Sequence, residues 1–253
     1  MRVTVLGSGT SAGVPQVGCD CAVCRSADPR DRRTRCSALV SYDGFDVLID
    51  TATDLRAQSL AQGLRKVDAV LYTHHHADHV HGIDDLRSFN FVMRRAIPLH
   101  GPPRMMDFLR ARYDYLFTDV QAGGGKPLVS LHPVTGAFDL GGRTWRAIEV
   151  FHGDLAIAAY RVGGFAYLTD VSRIPDGSWG LLGGLDVLIL GALRDEPHPT
   201  HFSVSQALEA VERIAPRRTF LTHLSHRLGH AELAARLPPG VEPARDGLII
   251  DLP

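Results

Sequence analysis

The stretch Tyr72-Thr73-His74-His75-His76-Ala77-Asp78-His79 constrains this chain more than any other run of its length. It follows directly on the apolar run 67–72, which reads as a strand entering a turn. Side chains two apart on extended backbone point the same way, so His74 and His76 can converge on one ion. Asp78 and His79, on the next turn, face a second. Imidazole and carboxylate suit zinc, manganese or iron. A solvated histidine-rich loop is the plain alternative. A register pairing His75 with His79 lacks the glutamate of a zinc-protease helix. Further ligands must come from distant strand ends, and three follow in order. They are His152 after the run 148–150, Asp170 after Leu168-Thr169, and His223 after Phe220-Leu221-Thr222. A carboxylate at Asp170 could bridge two cations. Each alone would read as an ordinary structural residue; together behind the motif they read as a site.

The 253 residues are 45% hydrophobic and 22% charged, which gives ample chain for a core and excludes wholesale disorder. No run approaches the roughly 18 apolar residues of a membrane span. The segment 1–6 reads as a strand rather than an export signal, so a cytoplasmic location is expected. The net charge of −1 carries no polybasic footprint and disfavours nucleic acid as a partner. Of four cysteines, three lie in Cys19-Asp20-Cys21-Ala22-Val23-Cys24. In a reducing compartment that spacing reads as a metal site rather than a disulfide framework. Plain loop thiols, or a redox pair at Cys21 and Cys24, are the alternatives. A structural zinc would need a fourth ligand. Cys36, before a strand-like run, reads as a core thiol. The unpatterned stretch 7–35 is unusually long for a loop, and a zinc staple would account for its order.

Strands are expected at 2–6, 37–42, 46–49, 69–72, 97–99, 128–134, 143–150, 156–162, 165–168, 187–190, 219–221 and 248–250. Helices are expected at 54–62, 103–112, 203–214 and 230–236, with Ser203 as an N-cap and Pro216 past that helix's end. Interleaved strands and helices give an α/β layered protein, and the hairpin-like pairs from 143 to 168 exclude a purely parallel sheet. No linker divides residues 1–253, so one domain is expected. Gly7-Ser8-Gly9-Thr10-Ser11-Ala12 formally matches a dinucleotide fingerprint, but Gly13, Pro15 and Gly18 follow where a helix must open.

These features together resemble the metallo-β-lactamase fold superfamily over almost the whole chain. Leu6-Gly7-Ser8-Gly9-Thr10 and Leu48-Ile49-Asp50 begin the likeness; the histidine motif, His152, Asp170 and His223 continue it. Within the superfamily the chain is most similar to the phosphoribosyl cyclic phosphodiesterases of bacterial phosphonate breakdown. The cysteine loop, Ile83-Asp84-Asp85-Leu86-Arg87 and Leu221-Thr222-His223-Leu224-Ser225-His226 carry that closer likeness. The resemblance implies an αββα sandwich of two mixed sheets flanked by helices. It implies a dinuclear site of manganese or zinc: His74, His76 and His152 on one metal, Asp78, His79 and His223 on the other, Asp170 bridging. It implies a structural zinc on Cys19, Cys21, Cys24 and His226, and it points to Asp50 and Thr73 as supports of the histidine loop. The relative forms a dimer, so a homodimer is one option.

The expected activity is hydrolysis of a small cyclic phosphate by metal-activated water, with Asp78 among the catalytic residues. His201, in Pro199-Thr200-His201-Phe202-Ser203, matches the family position before a helix and is the candidate general acid; a phosphate-binding or structural role is its alternative. His198 ranks below it, and His81, His100, His132 and His230 have no assigned role. Rival readings are a thioester or lactone hydrolase, a tRNA 3′-end nuclease and a non-catalytic cofactor-biosynthesis binding protein. Against the nuclease, Gly123-Gly124-Gly125-Lys126 is a poor substitute for a basic arm. The Arg30–Arg35 cluster, Arg87, Arg94, Arg95 and Arg194 are candidate phosphate contacts, with surface charge as the alternative. Residues 89–142 and 172–184 match nothing in the family pattern and are expected to shape the substrate pocket.

Overall fold

A computed structural model describes residues 1–119 and 125–253. Gly123 and Gly124 of the glycine run lie outside the described residues. The first half of the chain supplies strands β1 (Arg2–Gly7), β2 (Ser37–Tyr42), β3 (Phe45–Ile49), β4 (Ala69–Leu71), β5 (Ile97–Gly101) and β6 (Val129–Pro133). The second half supplies β7 (Gly136–Leu140), β8 (Arg143–His152), β9 (Leu155–Val162), β10 (Phe165–Leu168), β11 (Val187–Gly191), β12 (Arg218–Thr222), β13 (Val241–Pro243) and β14 (Ile249–Asp251). They form two seven-stranded sheets, ordered β14-β1-β2-β3-β4-β5-β6 and β13-β12-β11-β10-β9-β8-β7. Each sheet joins antiparallel hairpins to parallel strands. In the first, β3, β4, β5 and β6 run parallel; in the second, β10, β11, β12 and β13 do.

The alternation of side chains sorts the core into layers. Val3, Val40, Ile49 and Leu71 from one sheet meet Tyr160, Phe165, Ile189 and Phe220 from the other. Within this inter-sheet layer the Trp145 indole donates to Tyr42 Oη at 2.9 Å and that hydroxyl donates to Leu140 O at 2.8 Å, whereas the buried Tyr167 hydroxyl has no hydrogen-bond partner among the described residues. The opposite strand faces are covered by helices. Helices α1 (Leu55–Ala61), α2 (Ala77–Val80), α3 (Leu86–Met93) and α4 (Pro103–Arg112) lie in the first half, and Leu55, Leu86, Phe89 and Leu109 cover the first sheet. Helices α5 (Asp176–Trp179), α6 (Val204–Ile214) and α7 (His230–Arg236) follow, and Ala207, Ala210, Ile214 and Leu233 cover the second. The chain is therefore a four-layer αββα sandwich of two mixed sheets. The Ser203 hydroxyl accepts from Gln206 N while the Gln206 side chain accepts from Ser203 N, so a full capping box opens α6.

Five elements depart from the sequence expectation: α2, α3, α5, β7 and β13; α2 and α5 are four-residue single turns, too short to show an apolar period. The exposed Phe91 and Val92 blur the apolar period of α3. β7 is a sheet edge with only Leu140 buried, and β13 is three residues ending in Pro243. The arginine cluster is corrected as well. Arg30 pairs with Asp28 at 2.7 Å and Arg35 with Asp54 at 3.0 Å. Arg33 is buried, paired with Asp31 at 3.0 Å, and donates to Ser225 O at 3.0 Å and Leu228 O at 2.7 Å. It is an internal brace between the cysteine loop and the segment after β12. Asp246 ties the same loop down by accepting from Ser8 and Thr34 through both backbone and hydroxyl. Arg87 pairs with Asp84, Arg95 with Asp68, and Arg194 holds carbonyls of its own loop.

Candidate metal centre

The strand ends gather on one rim, and the chemistry-bearing residues sit at or just past them. β3 delivers Asp50, β4 the histidine loop, β8 His152, β10 Asp170 and β12 His223. Asp50, Asp170 and His223 adopt left-handed backbone with φ of 61°, 53° and 58°. Non-glycine residues rarely hold that conformation, and strain of this kind gathers at functional sites.

The loop folds as its spacing predicts. His76 is extended and caps α2, which carries Asp78 and His79 in its single turn. Two triads result, His74–His76–His152 and Asp78–His79–His223, each with one donor atom per residue within 4.8 Å of the others. Asp170 lies between them: its Oδ2 is 2.9 Å from His79 Nε2 and its Oδ1 2.9 Å from His223 Nε2, and it also groups within 4.8 Å with His74 and, separately, with His152. His201 joins the rim, its Nδ1 3.5 Å from Asp170 Oδ1 and its ring stacked 4.8 Å from His223. His198 stands one step further out, 5.2 Å from His201. His75 turns away and packs on Phe108.

The ring orientations are fixed from behind. Asp50 Oδ2 contacts His79 Nδ1 at 2.8 Å, and the same carboxylate accepts from the backbone and hydroxyl of Thr73. The Thr73 hydroxyl contacts His74 Nδ1 at 2.9 Å, and the Thr200 carbonyl contacts His152 Nδ1 at 2.6 Å. The Nε2 atoms of His74 and His79, and both ring nitrogens of His223, are buried without a well-aligned hydrogen-bond partner. Second partners on Nδ1 are what orient metal-binding imidazoles. Asp50 and Thr73 thus occupy the supporting positions the sequence pointed to; the Thr200 carbonyl, a backbone atom, had no sequence signal.

Electrostatics agree. Burial pushes the Asp170 carboxyl up, but His223 and His79 outweigh it and hold it below the usual carboxylate range. Burial lowers His79, yet Asp170, Asp78 and Asp50 raise it above its ordinary value, and His223 is raised to about 9 mainly by Asp170. Burial and neighbouring imidazoles depress His74 and His76, and push His201 down to about 3. Carboxylates thus compete with burial for positive charge in the centre of the site. A five-imidazole, two-carboxylate donor set with inward nitrogens fits divalent cations.

The cysteine loop forms a second donor group. Cys19, Cys21, Cys24 and His226 bring one donor atom each within 4.8 Å. His226 Nδ1 is 3.2 Å from Cys19 Sγ and 3.5 Å from Cys21 Sγ, and all cysteines are free. A hydrogen bond from the Cys24 amide pulls the Cys21 thiol down to about 6, while burial pushes Cys24 up to about 11. Three sulfurs and one imidazole fit a closed zinc site. Cys36 lies elsewhere, buried against Thr222.

The αββα fold and its paired donor triads define a metallo-β-lactamase-type protein. The chain belongs to that family: the model of the beta-lactamase superfamily domain matches residues 46–224. A solved structure described as a new diphosphatase from the PhnP family is 44% identical, with a TM-score of 0.93 over 100% of this chain and 98% of that one. An octanoyltransferase of Porphyromonas gingivalis is 39% identical over 99% of this chain, which spans about half, 52%, of that protein's length. Coenzyme PQQ synthesis protein B of Methylobacterium radiotolerans is 32% identical over 75% of this chain and 72% of its own. Family, fold and donor set support a metal-dependent hydrolase. No helix among the described residues is long and apolar enough to cross a membrane.

Proposed function

We propose that the chain hydrolyses a small phosphate ester, a cyclic phosphodiester or a related diphosphate. The observation that carries this reading is Asp170, which contacts His79 and His223 at 2.9 Å each and also groups within 4.8 Å with His74 on one side and with His152 and His201 on the other. His74, His76 and His152 would hold one divalent cation, manganese or zinc. Asp78, His79 and His223 would hold the other, with Asp170 shared; Cys19, Cys21, Cys24 and His226 would hold a structural zinc. Bound there, paired cations would polarise a phosphoryl oxygen and acidify water. Asp50 keeps His79 aimed inward, and the Thr200 carbonyl does the same for His152. His201 turns Nδ1 toward Asp170; burial and His223 favour its neutral form, so to protonate the departing alkoxide from Nε2 it must first take the proton released by the attacking water. Such proton transfer contributes roughly 10²–10⁴-fold.

A panel of cyclic ribose phosphates, cyclic nucleotides, diphosphates, thioesters and lactones, with manganese- and zinc-loaded protein, tests the reading. Phosphate esters should be preferred. A second reading, acyl-thioester hydrolysis on the same donors, is favoured by the likeness to half of an octanoyltransferase, and thioesters outpacing every phosphate ester would replace the first. A count of one ion per chain would instead favour a binding role. For His201→Ala, cations should be retained while alkyl esters lose about 100-fold more rate than nitrophenyl esters. Equal losses on both would remove the acid role.

A further inference from the structure

A cavity of about 410 Å³ opens beside the histidine loop. Pro102, Pro103 and Val134 form one wall; Ala147, Ala156 and Ala158 form the other. It abuts the candidate metal centre along two lines. The Ala158 amide donates to the carbonyl of Thr73, the residue before His74, at 3.0 Å. Ala156 follows Leu155, which pairs across the hairpin with His152. Arg104, at the cavity wall, lies in α4, whose Phe108 packs on His75 of the loop.

The volume falls within the range of about 300–1,000 Å³ typical of small-molecule sites. Its lining is mostly apolar, from proline, alanine, isoleucine and valine. The charged groups at the wall are one cation, Arg104, and one anion, Glu149. They sum to no net charge, so the cavity has no excess positive potential for a second phosphate. Thr135 is the hydroxyl residue in the lining. A hydrocarbon group loses little on entering this mostly apolar lining, whereas a nucleobase's polar edge would have only Arg104, Glu149 and Thr135 as side-chain partners.

We infer that this cavity is a subsite for an uncharged hydrocarbon portion of the substrate, carried on the ester that the metal centre cleaves. The inference rests on the hydrolase reading above and names the chemistry of one substituent. Each buried methylene strengthens such binding roughly fourfold. The probes are p-nitrophenyl phosphodiesters with methyl, propyl or pentyl as the second group, turned over by metal-loaded protein. The nitrophenolate leaving group is the same throughout. kcat/KM should rise at least about tenfold from methyl to pentyl. Ala147→Leu and Ala156→Leu, each at a half-buried wall position, should collapse the pentyl-to-methyl ratio toward one, with metal content and melting temperature measured alongside. A flat series with good turnover of the methyl ester overturns the subsite and leaves the hydrolase standing. A ratio that neither folded variant changes also overturns it. No turnover of any member removes the hydrolase reading, and the subsite with it.

Discussion

The imidazole–carboxylate cluster and the cysteine cluster meet on one short segment, where His223 serves the first and His226 the second, yet the fold holds them by different means. The first hangs from the ends of five strands in both sheets. His74, His76, His152, Asp170 and His223 come from distant parts of the sequence, and buried partners fix the Nδ1 atoms of His74, His79 and His152. The second rests on a loop, and its sulfurs find one another and His226 rather than a rigid frame. A cluster preformed by sheets can lose its cations and keep its shape. A cluster preformed by a loop depends on its cation for order, so that cation contributes to folding.

Asp170→Ala gives the largest expected effect and tests the first half of that contrast. The variant should lose cations and at least about 10³-fold in activity, beyond the 10–100-fold typical of outer partners. Its far-ultraviolet circular dichroism should still report a folded chain. Full activity in a metal-depleted Asp170 variant would break the mechanism, and an unfolded variant would break the claim that the sheets preform the site.

How much of this was legible beforehand follows from where information sits in a chain. The histidine motif was readable because ligand chemistry restricts residue type and spacing at once. The strand ends were readable because buried parallel strands such as β11 are continuous apolar runs. Helix α3 was not, since Phe91 and Val92 are exposed apolar residues that counterfeit a buried face. Arg33 was misread for a related reason: an arginine among arginines looks like surface charge, and only the fold shows that Asp31 and two carbonyls receive it inside. Nor does sequence reveal left-handed backbone at Asp170 and His223, because glycine, the usual marker, is absent from both positions.

Arg33 braces the loop cluster, so disturbing its partner should separate the two clusters on titration. Asp31→Ala leaves a buried guanidinium without its carboxylate and should cost about 3–5 kcal/mol, read from urea unfolding. Because Arg33 grips Ser225 and Leu228 on either side of His226, the thiol-bound ion should be lost first on titration with chelator. Simultaneous loss of all ions would show that the clusters are one cooperative unit. Cys21→Ala attacks the loop cluster directly. One ion per chain should disappear, with a loss of about 3 kcal/mol, the effect of a ligand present at about 100 to 200 times its dissociation constant. A Cys21→Ala protein as stable as the native one would mean that the loop is ordered by Arg33 and Asp246 alone.

The smallest expected effect concerns acid. His230 opens α7 beside the Arg33 brace; its amide donates to Asp31 Oδ1 at 2.8 Å, and its ring nitrogen Nδ1 is buried without a partner. Burial, then Arg30 and Arg33, depress it from 6.5 to about 4 against the opposing pull of Asp28 and Asp31. Between those two values the unfolded chain binds more protons than the folded one. Stability from this residue is therefore complete above the unfolded value of 6.5 and falls as the pH drops toward about 4, below which the loss levels off. After allowance for partial solvent screening the loss is about 1 kcal/mol. His230→Asn, which cannot titrate, should flatten the stability curve in that window by about the same amount, measured by urea unfolding from pH 7 to pH 4. The contrast between clusters adds a second readout: the flattening should appear with or without cations at the imidazole–carboxylate site, because His230 belongs to the loop's brace. Curves that differ between His230→Asn and native protein only when that site is loaded would place the acid sensitivity in the sheets instead.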